Sequence, residues 1–213
     1  MDNIVTWRET DNEKIFAYAS LNGFETPVWK QKAFEEGPYA FYVRRNGCGH
    51  CCCAMAARLY GVEIDPYTEM ETCVELWGEP EKGRDWYQTA RGITEILRSY
   101  GISSSAFGVP AGEEELAETE RLLDCALSSG HPVIFWSHPS GKDNPFSSGE
   151  HYVLAVGYDE DGNVVIANSG KGIQLCGMET VMEVLYRGAT AENTEWGIDD
   201  DDTIPQSGGI VIV

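Results

Sequence analysis

Hydrophobic spacing changes character near residue 130. From Cys48 to Gly130 apolar residues recur at helical intervals, and from His131 onward they crowd into short runs rich in β-branched and aromatic residues. Helices early and antiparallel strands late argue for an α+β fold, because a doubly wound sheet would alternate the two along the chain. Within NGCGHCCCAMAARLYG, residues 46–61, Cys52, Met55, Ala56 and Leu59 fall on one helical face and Gly61 is placed to end the helix. Asp65 is a cap for a second helix, residues 65–78, with Pro66 at its first position. Residues 89–100 and 113–129 read as further helices stopped by Gly101 and Gly130, all packed around the first.

The later segments read as strands. HPVIFWSH, residues 131–138, has a buried-strand pattern, HYVLAVGY and NVVIAN form a hairpin around Asp159 to Gly162, and GIQLCG and GGIVIV are short strands. Residues 180–188 are a brief helix. Ile15 to Ala19 is a short strand, and TPVWKQKAFEEGPYAF an irregular aromatic-rich approach punctuated by Pro27 and Pro38. No long Pro/Ser/Gly linker divides the chain, so we expect a single domain over residues 1–213, with a helical lobe over about 27–130 and a β-sheet lobe over about 131–213.

Charge narrows the partners. Thirty-five Asp and Glu against 15 Lys and Arg give a net charge of −20, which repels a nucleic-acid backbone or an anionic membrane. A basic or neutral partner is easier to accept, and for a peptide or protein substrate the acidity hints at a basic one. The first residues carry no basic region followed by an apolar run, and no window approaches a membrane span, so the expected location is cytoplasmic. Seven cysteines, three of them consecutive at Cys51 to Cys53, are unlike a disulfide framework and suit a reducing compartment.

Cys48 stands where the first helix begins. Amide groups of a first helical turn and the positive end of the helix dipole favour thiolate, which is the attacking species. If the hairpin pairs Val153 with Asn168, alternation puts His151 and Asn168 on one face as diagonal neighbours, and a one-residue slip would separate them. Cys, His and Asn in that order suggest a cysteine hydrolase: Cys48 attacks a carbonyl, His151 moves the proton and Asn168 orients the ring. The oxyanion of the intermediate needs donors, for which the backbone N–H of Cys48 and the side-chain amide of Gln31 are the candidates. Such chemistry requires no cofactor.

GCGHCCCAMAARLYG resembles the GCGPTSLAMVL-type segment of the papain-like cysteine peptidases related to bacteriocin leader-processing peptidases. SSGHPVIFW, followed by GEHYVLAVGYDEDGNVVIANSG, is similar to that family's G-x-PVI, GHYV-x-V-x-GY and Asn/Asp-bearing strands. The resemblance spans roughly residues 27–170. It implies a papain-like fold, a helical lobe carrying Cys packed on an antiparallel sheet carrying His and Asn. By it Cys48 takes the nucleophile position, His151 the base, Asn168 the orienting position and Gln31 the upstream oxyanion position. His50 stands where Pro is usual, Cys51 to Cys53 replace small or aliphatic residues, and NSG follows where DP is common.

Other readings compete. CGHC, Cys48 to Cys51, matches the redox pair of thiol-disulfide oxidoreductases, although FYVRRNG before it is not the apolar βαβ pattern that normally precedes such a pair. Cys48 and Cys51 are also zinc-type ligands with His50 or a distant His, yet no second C-x-x-C or H-x-x-x-H completes a tetrahedral set, and no metal is expected. A catalytically silent papain-like domain that binds peptides is a third reading. Asp199 to Asp202 lack the Gly and distal Glu of a calcium loop and read as a solvated acidic segment, and Trp77, Trp86, Trp136 and Trp196 read as core rather than cleft.

Overall fold

The computed structural model describes residues 3–80, 89–109, 113–137, 144–189 and 208–213. Asp199 to Asp202, Trp86 and Trp196 lie outside them. Two antiparallel sheets organise the chain. The smaller has strands β1 (Thr6–Glu9), β2 (Ile15–Leu21) and β3 (Phe24–Trp29) in that order. Strand β2 buries every second residue, Ile15, Ala17, Ala19 and Leu21, as expected of a sheet with one covered face. Strand β3 occupies part of the segment read as irregular; it sits at the sheet's edge, where a proline such as Pro27 costs no ladder hydrogen bond.

A single turn of 3-10 helix, Gln31–Ala33, follows, and then α1 (Ala40–Asn46), α2 (Cys48–Arg58), α3 (Pro66–Trp77) and α4 (Ala90–Ser99). Side chains cap two of these helices, Asp65 as the sequence indicates and Thr89 in addition. Asp65 Oδ1 accepts from the amides of Tyr67 and Thr68 at 3.0 and 2.9 Å, and Thr89 Oγ1 accepts from Gly92 at 3.0 Å. Helix α2 is buried nearly all round, with Cys51 to Ala57 in one core with Met70 and Cys73 of α3 and Ile93, Ile96 and Leu97 of α4.

The larger sheet contains β4 (Ser104–Gly108), β5 (Val133–Ser137), β6 (His151–Tyr158), β7 (Val164–Asn168), β8 (Gly172–Cys176) and β9 (Gly208–Ile212), in the order β4-β9-β5-β6-β7-β8. Alternation divides its side chains between two cores. Ile134, Trp136, Tyr152, Leu154 and Val156 join the core around α2, while Val133, Phe135, Val153, Ala155, Val164 and Ile166 face α5 (Glu113–Ser128) and α6 (Met178–Ala189). Both faces are therefore covered, which is why β5, β6 and β7 read as continuous apolar runs. Each fully buried Ile or Leu contributes about 2 kcal/mol of transfer free energy.

Helix α5 corrects the expectation that the early helices all surround α2. Its Leu123, Ala126 and Leu127 pack across the sheet with Val181, Met182, Val184 and Leu185 of α6. Spacing identifies an apolar stripe but not the sheet face that receives it.

Register is the fold's main contribution to chemistry. At the hairpin tip Tyr158 pairs with Val164 and Gly157 with Val165; a β-bulge then shifts the ladder, so that Ala155 pairs with Ile166 and Leu154 with Ala167. Extending that ladder sets Val153 opposite Asn168, the alignment that the side-chain alternation required. Without the bulge the tip register would put His151 and Asn168 on opposite faces.

Candidate active site

Four segments meet where β6 begins and β7 ends: the turn after β3, the start of α2, the first residue of β6 and the last residue of β7. Gln31, Cys48 and His151 line one cavity of 240 Å³, together with Arg45, Asn46, Trp136, Glu150 and Tyr152. Trp136 is thus core and cavity wall at once. Asn168 stands behind His151, wholly buried, and its Oδ1 lies 2.8 Å from His151 Nε2.

The Asn168 network determines the ring's tautomer. Asn168 Nδ2 donates to the Phe146 carbonyl at 2.9 Å and to Gln174 Oε1 at 2.7 Å, while Oδ1 accepts from the Gly170 amide at 2.8 Å. Since Oδ1 only accepts, His151 Nε2 carries the proton, and Nδ1 keeps a lone pair. Burial, the main cause, and the Lys171 charge both depress the His151 pKa below its ordinary 6.5, against the opposing pull of the Asn168 bond. The folded chain then binds fewer protons than the unfolded one as pH falls through 6.5, so this group weakens folding on the acid side and leaves neutral stability unaffected. In a Cys48→Ala protein, NMR titration should find His151 with a midpoint below 6.5, rising in Lys171→Gln; a midpoint above 6.5 would contradict the burial argument.

Cys48 is half-buried, and its thiol donates to the Asn46 carbonyl at 3.8 Å. The position depends on Gly47. A Cβ there would lie 2.5 Å from the Val43 Cα and closer still to the Val43 carbonyl oxygen, so α1 and α2 can abut only at a residue without a side chain. Gly47→Ala is expected to push the start of α2 away and lower activity by about 10²-fold, the usual cost of misplacing a reacting group by an ångström. Activity within threefold of wild type would refute that positioning.

Gln31 is buried and held at both ends. Its Oε1 accepts from Ser169 Oγ at 3.2 Å, and its Nε2 donates to the Arg44 carbonyl at 3.4 Å. The donor end of the amide is therefore the end turned from Ser169. Phe146, Ser169, Gly170 and Gln174 hold the site residues in place and were not picked out from sequence; only Gly170, two residues after Asn168, carries a local signal, that of an Asx-turn.

The other cysteines of α2 are different in kind. Cys51 is fully buried, and desolvation, the largest cause, holds its thiol far above the ordinary range; Cys52 and Cys53 behave likewise. Disulfide exchange needs a thiolate with access, so Cys51 is a poor partner for the CGHC redox reading.

The zinc reading also shifts. Among the described residues, the metal-type donors within 4.8 Å of one another are His50, Glu69 and Cys73, not Cys48 and Cys51. His50 Nδ1 hydrogen-bonds Glu69 Oε2, and the Cys73 thiol donates to Glu69 Oε1 at 3.6 Å, so both carboxylate oxygens are satisfied within the protein. This buried group ties α2 to α3. Glu69→Leu should lower the unfolding free energy by about 3 kcal/mol, as losing one partner of a buried pair does; a denaturant midpoint shift worth less than about 1 kcal/mol would show that the tie is weak.

The sequence model of the Peptidase_C39-like family matches residues 24–182, well over half of the chain. The chain belongs to that family. Among solved structures, this C39-like chain is similar to a double-glycine-motif protease from an AMS/PCAT transporter in complex with its leader peptide. The two share 14% identity over 78% of this chain and 82% of that one, with a TM-score of 0.44. It is also similar to a C39-like peptidase from Bacillus anthracis, at 15% identity over 79% and 89% of the two chains and a TM-score of 0.49. No curated protein sequence matches. The α+β architecture, with Cys48 on a helix packed against the antiparallel sheet that carries His151 and Asn168, is the papain-like arrangement expected of such a chain. Among the described residues no helix is long and apolar enough to cross a membrane.

Proposed function

We propose that this C39-like chain is a cysteine peptidase, or a closely related thiol amide hydrolase or acyltransferase, acting on peptides through Cys48, His151 and Asn168. The observation that carries the reading is the His151–Asn168 pair, whose lone-pair nitrogen belongs to the ring that shares a cavity with Cys48 and the Gln31 amide. Family membership supplies the reaction class.

The steps follow from those positions. Cys48 Sγ attacks the carbonyl carbon as its proton passes to His151 Nδ1. The oxyanion takes hydrogen bonds from Gln31 Nε2 and the backbone N–H of Cys48. Collapse breaks the C–N bond, His151 hands the proton to the departing amine, and the acyl group remains on sulfur as a thioester. Water or another nucleophile, deprotonated by His151, then releases the acid or acyl product and restores the thiol.

The leader peptide is the ligand of the transporter protease named above; here a peptide is the substrate class. Incubation with a peptide pool and rapid acid quench tests the reading by mass spectrometry. An acyl adduct on Cys48 in wild type, absent in His151→Ala, is the expected result. Cleavage that survives Cys48→Ala would overturn it.

A further inference from the structure

A second groove, of 550 Å³, adjoins the Cys48 cavity and shares Gln31, Arg45 and His151 with it. Its lining includes Lys30, Lys32, Arg44, Arg45 and Lys171, and among the described residues no Asp or Glu. In a chain with 35 acidic and 15 basic residues, five cations and no anion among the described lining residues are far from the average composition. We propose that this groove binds carboxylate side chains of the peptide substrate, so that acidic residues on one side of the scissile bond select what the Cys48 centre cleaves. The inference rests on the peptidase reading for its reaction and on charge and shape for its ligand.

The cations keep their charge available. Lys30 Nζ donates to the Asn12 carbonyl at 2.9 Å and lies 5.3 Å from the centre of the Phe16 ring, and Lys171 Nζ donates to the Pro145 carbonyl at 2.7 Å. Neutral acceptors orient these amines without cancelling them. Arg45 stands over the Phe41 ring at 5.7 Å, and Arg44 meets Glu35 at 3.8 Å with both side chains more than half exposed. Such an exposed pair exchanges readily for a better carboxylate. Phe16 and Ala33 give the groove an apolar component against which a peptide backbone can lie.

The net charge of −20 suggested a basic partner, and the local distribution reverses that suggestion. Screening explains how both hold. Over about 8 Å at physiological salt a short acidic segment feels the lysines and arginines that it touches, whereas a long polyanion would meet the acidic surface beyond them. Glu150, at the Cys48 cavity rather than in this groove, fits the same division of charge.

The test separates this proposal from the peptidase reading by measuring binding in Cys48→Ala protein. Three fluorescent peptide pools, identical except that chosen positions hold Glu, Gln or Lys, are compared by anisotropy. The Glu pool should bind about tenfold more tightly than the Gln pool at low salt, with the gap narrowing at high salt, and a Lys32→Glu/Lys171→Glu variant should favour the Lys pool. Equal binding of the Glu and Gln pools, or a preference that ignores the charge reversal in a variant with unchanged melting, overturns the proposal. If the Glu pool binds selectively while wild type cleaves none of the pools, the subsite stands and the peptidase reading fails.

Discussion

Cys48→Ala is expected to lower kcat/KM for peptide cleavage by about 10³-fold or more, His151→Ala by nearly as much, and the double variant by little beyond either. Non-additivity is the informative part. The thiol is a weak nucleophile until a base takes its proton, and an imidazole without a sulfur to activate does nothing for attack. Two independent contributions would multiply. A double variant whose loss approaches the product of the single losses would show that the two residues do not act as a unit.

Asn168→Ala has the second-largest expected effect, and it acts on two levels. In catalysis it releases His151 Nε2 from its 2.8 Å partner, so the ring loses its fixed tautomer and orientation, with an expected loss of about 10²-fold in kcat at little change in KM. In folding it leaves the buried Phe146 carbonyl and the half-buried Gln174 Oε1 short of a partner, while the amide of the exposed Gly170 can turn to water, at a cost of about 2 kcal/mol. Asn168→Asp separates the levels. A carboxylate still accepts from His151 and Gly170 but faces two further acceptors, the Phe146 carbonyl and Gln174 Oε1. Stability should therefore fall while the pH profile keeps the shape set by an oriented imidazole. If both variants leave kcat within threefold of wild type, Asn168 does not orient the ring.

Much of this site could be read from residues alone. Cys48 follows a glycine at the start of a strongly periodic helix, and Asp65 with Pro66 announces the next one. The hairpin is legible from its two apolar runs and the Asp-rich turn, and the pairing of Val153 with Asn168 follows from counting back from that turn. The count was right for a reason that counting does not contain. The tip is displaced by one residue, and the bulge between Ala155 and Gly157 takes the displacement back. The bulge has one local trace in AVGYDEDGN, Gly157 inside an apolar strand, but that glycine gives neither the direction nor the size of the shift, which the strand pairing settles.

What escaped the sequence reading shares one cause, dependence on residues far apart in the chain. Pro27 looked like a breaker, and it is tolerated because β3 is an edge strand, a fact set by its neighbours. Strand β4 is half exposed and lacks the apolar run of β5; it exists because β9 pairs with it from the other end of the chain. Gln174 and Phe146 approach Asn168 from a separate strand and a separate loop. The basic groove was hidden by addition: its five cations come from residues 30–45 and 171, and the net charge averages them away.

The central claim is that one thiol among seven is activated by an imidazole, and Cys125 supplies an internal standard because it is exposed, while Cys51, Cys52, Cys53 and Cys73 are buried. The measurement is the rate of iodoacetamide alkylation at each cysteine near pH 6, where an ordinary thiol is almost wholly protonated. Cys48 should react at least about tenfold faster than Cys125, and the advantage should vanish in His151→Ala. Alkylation of Cys48 no faster than that of Cys125, or a fast reaction indifferent to His151, would contradict the account.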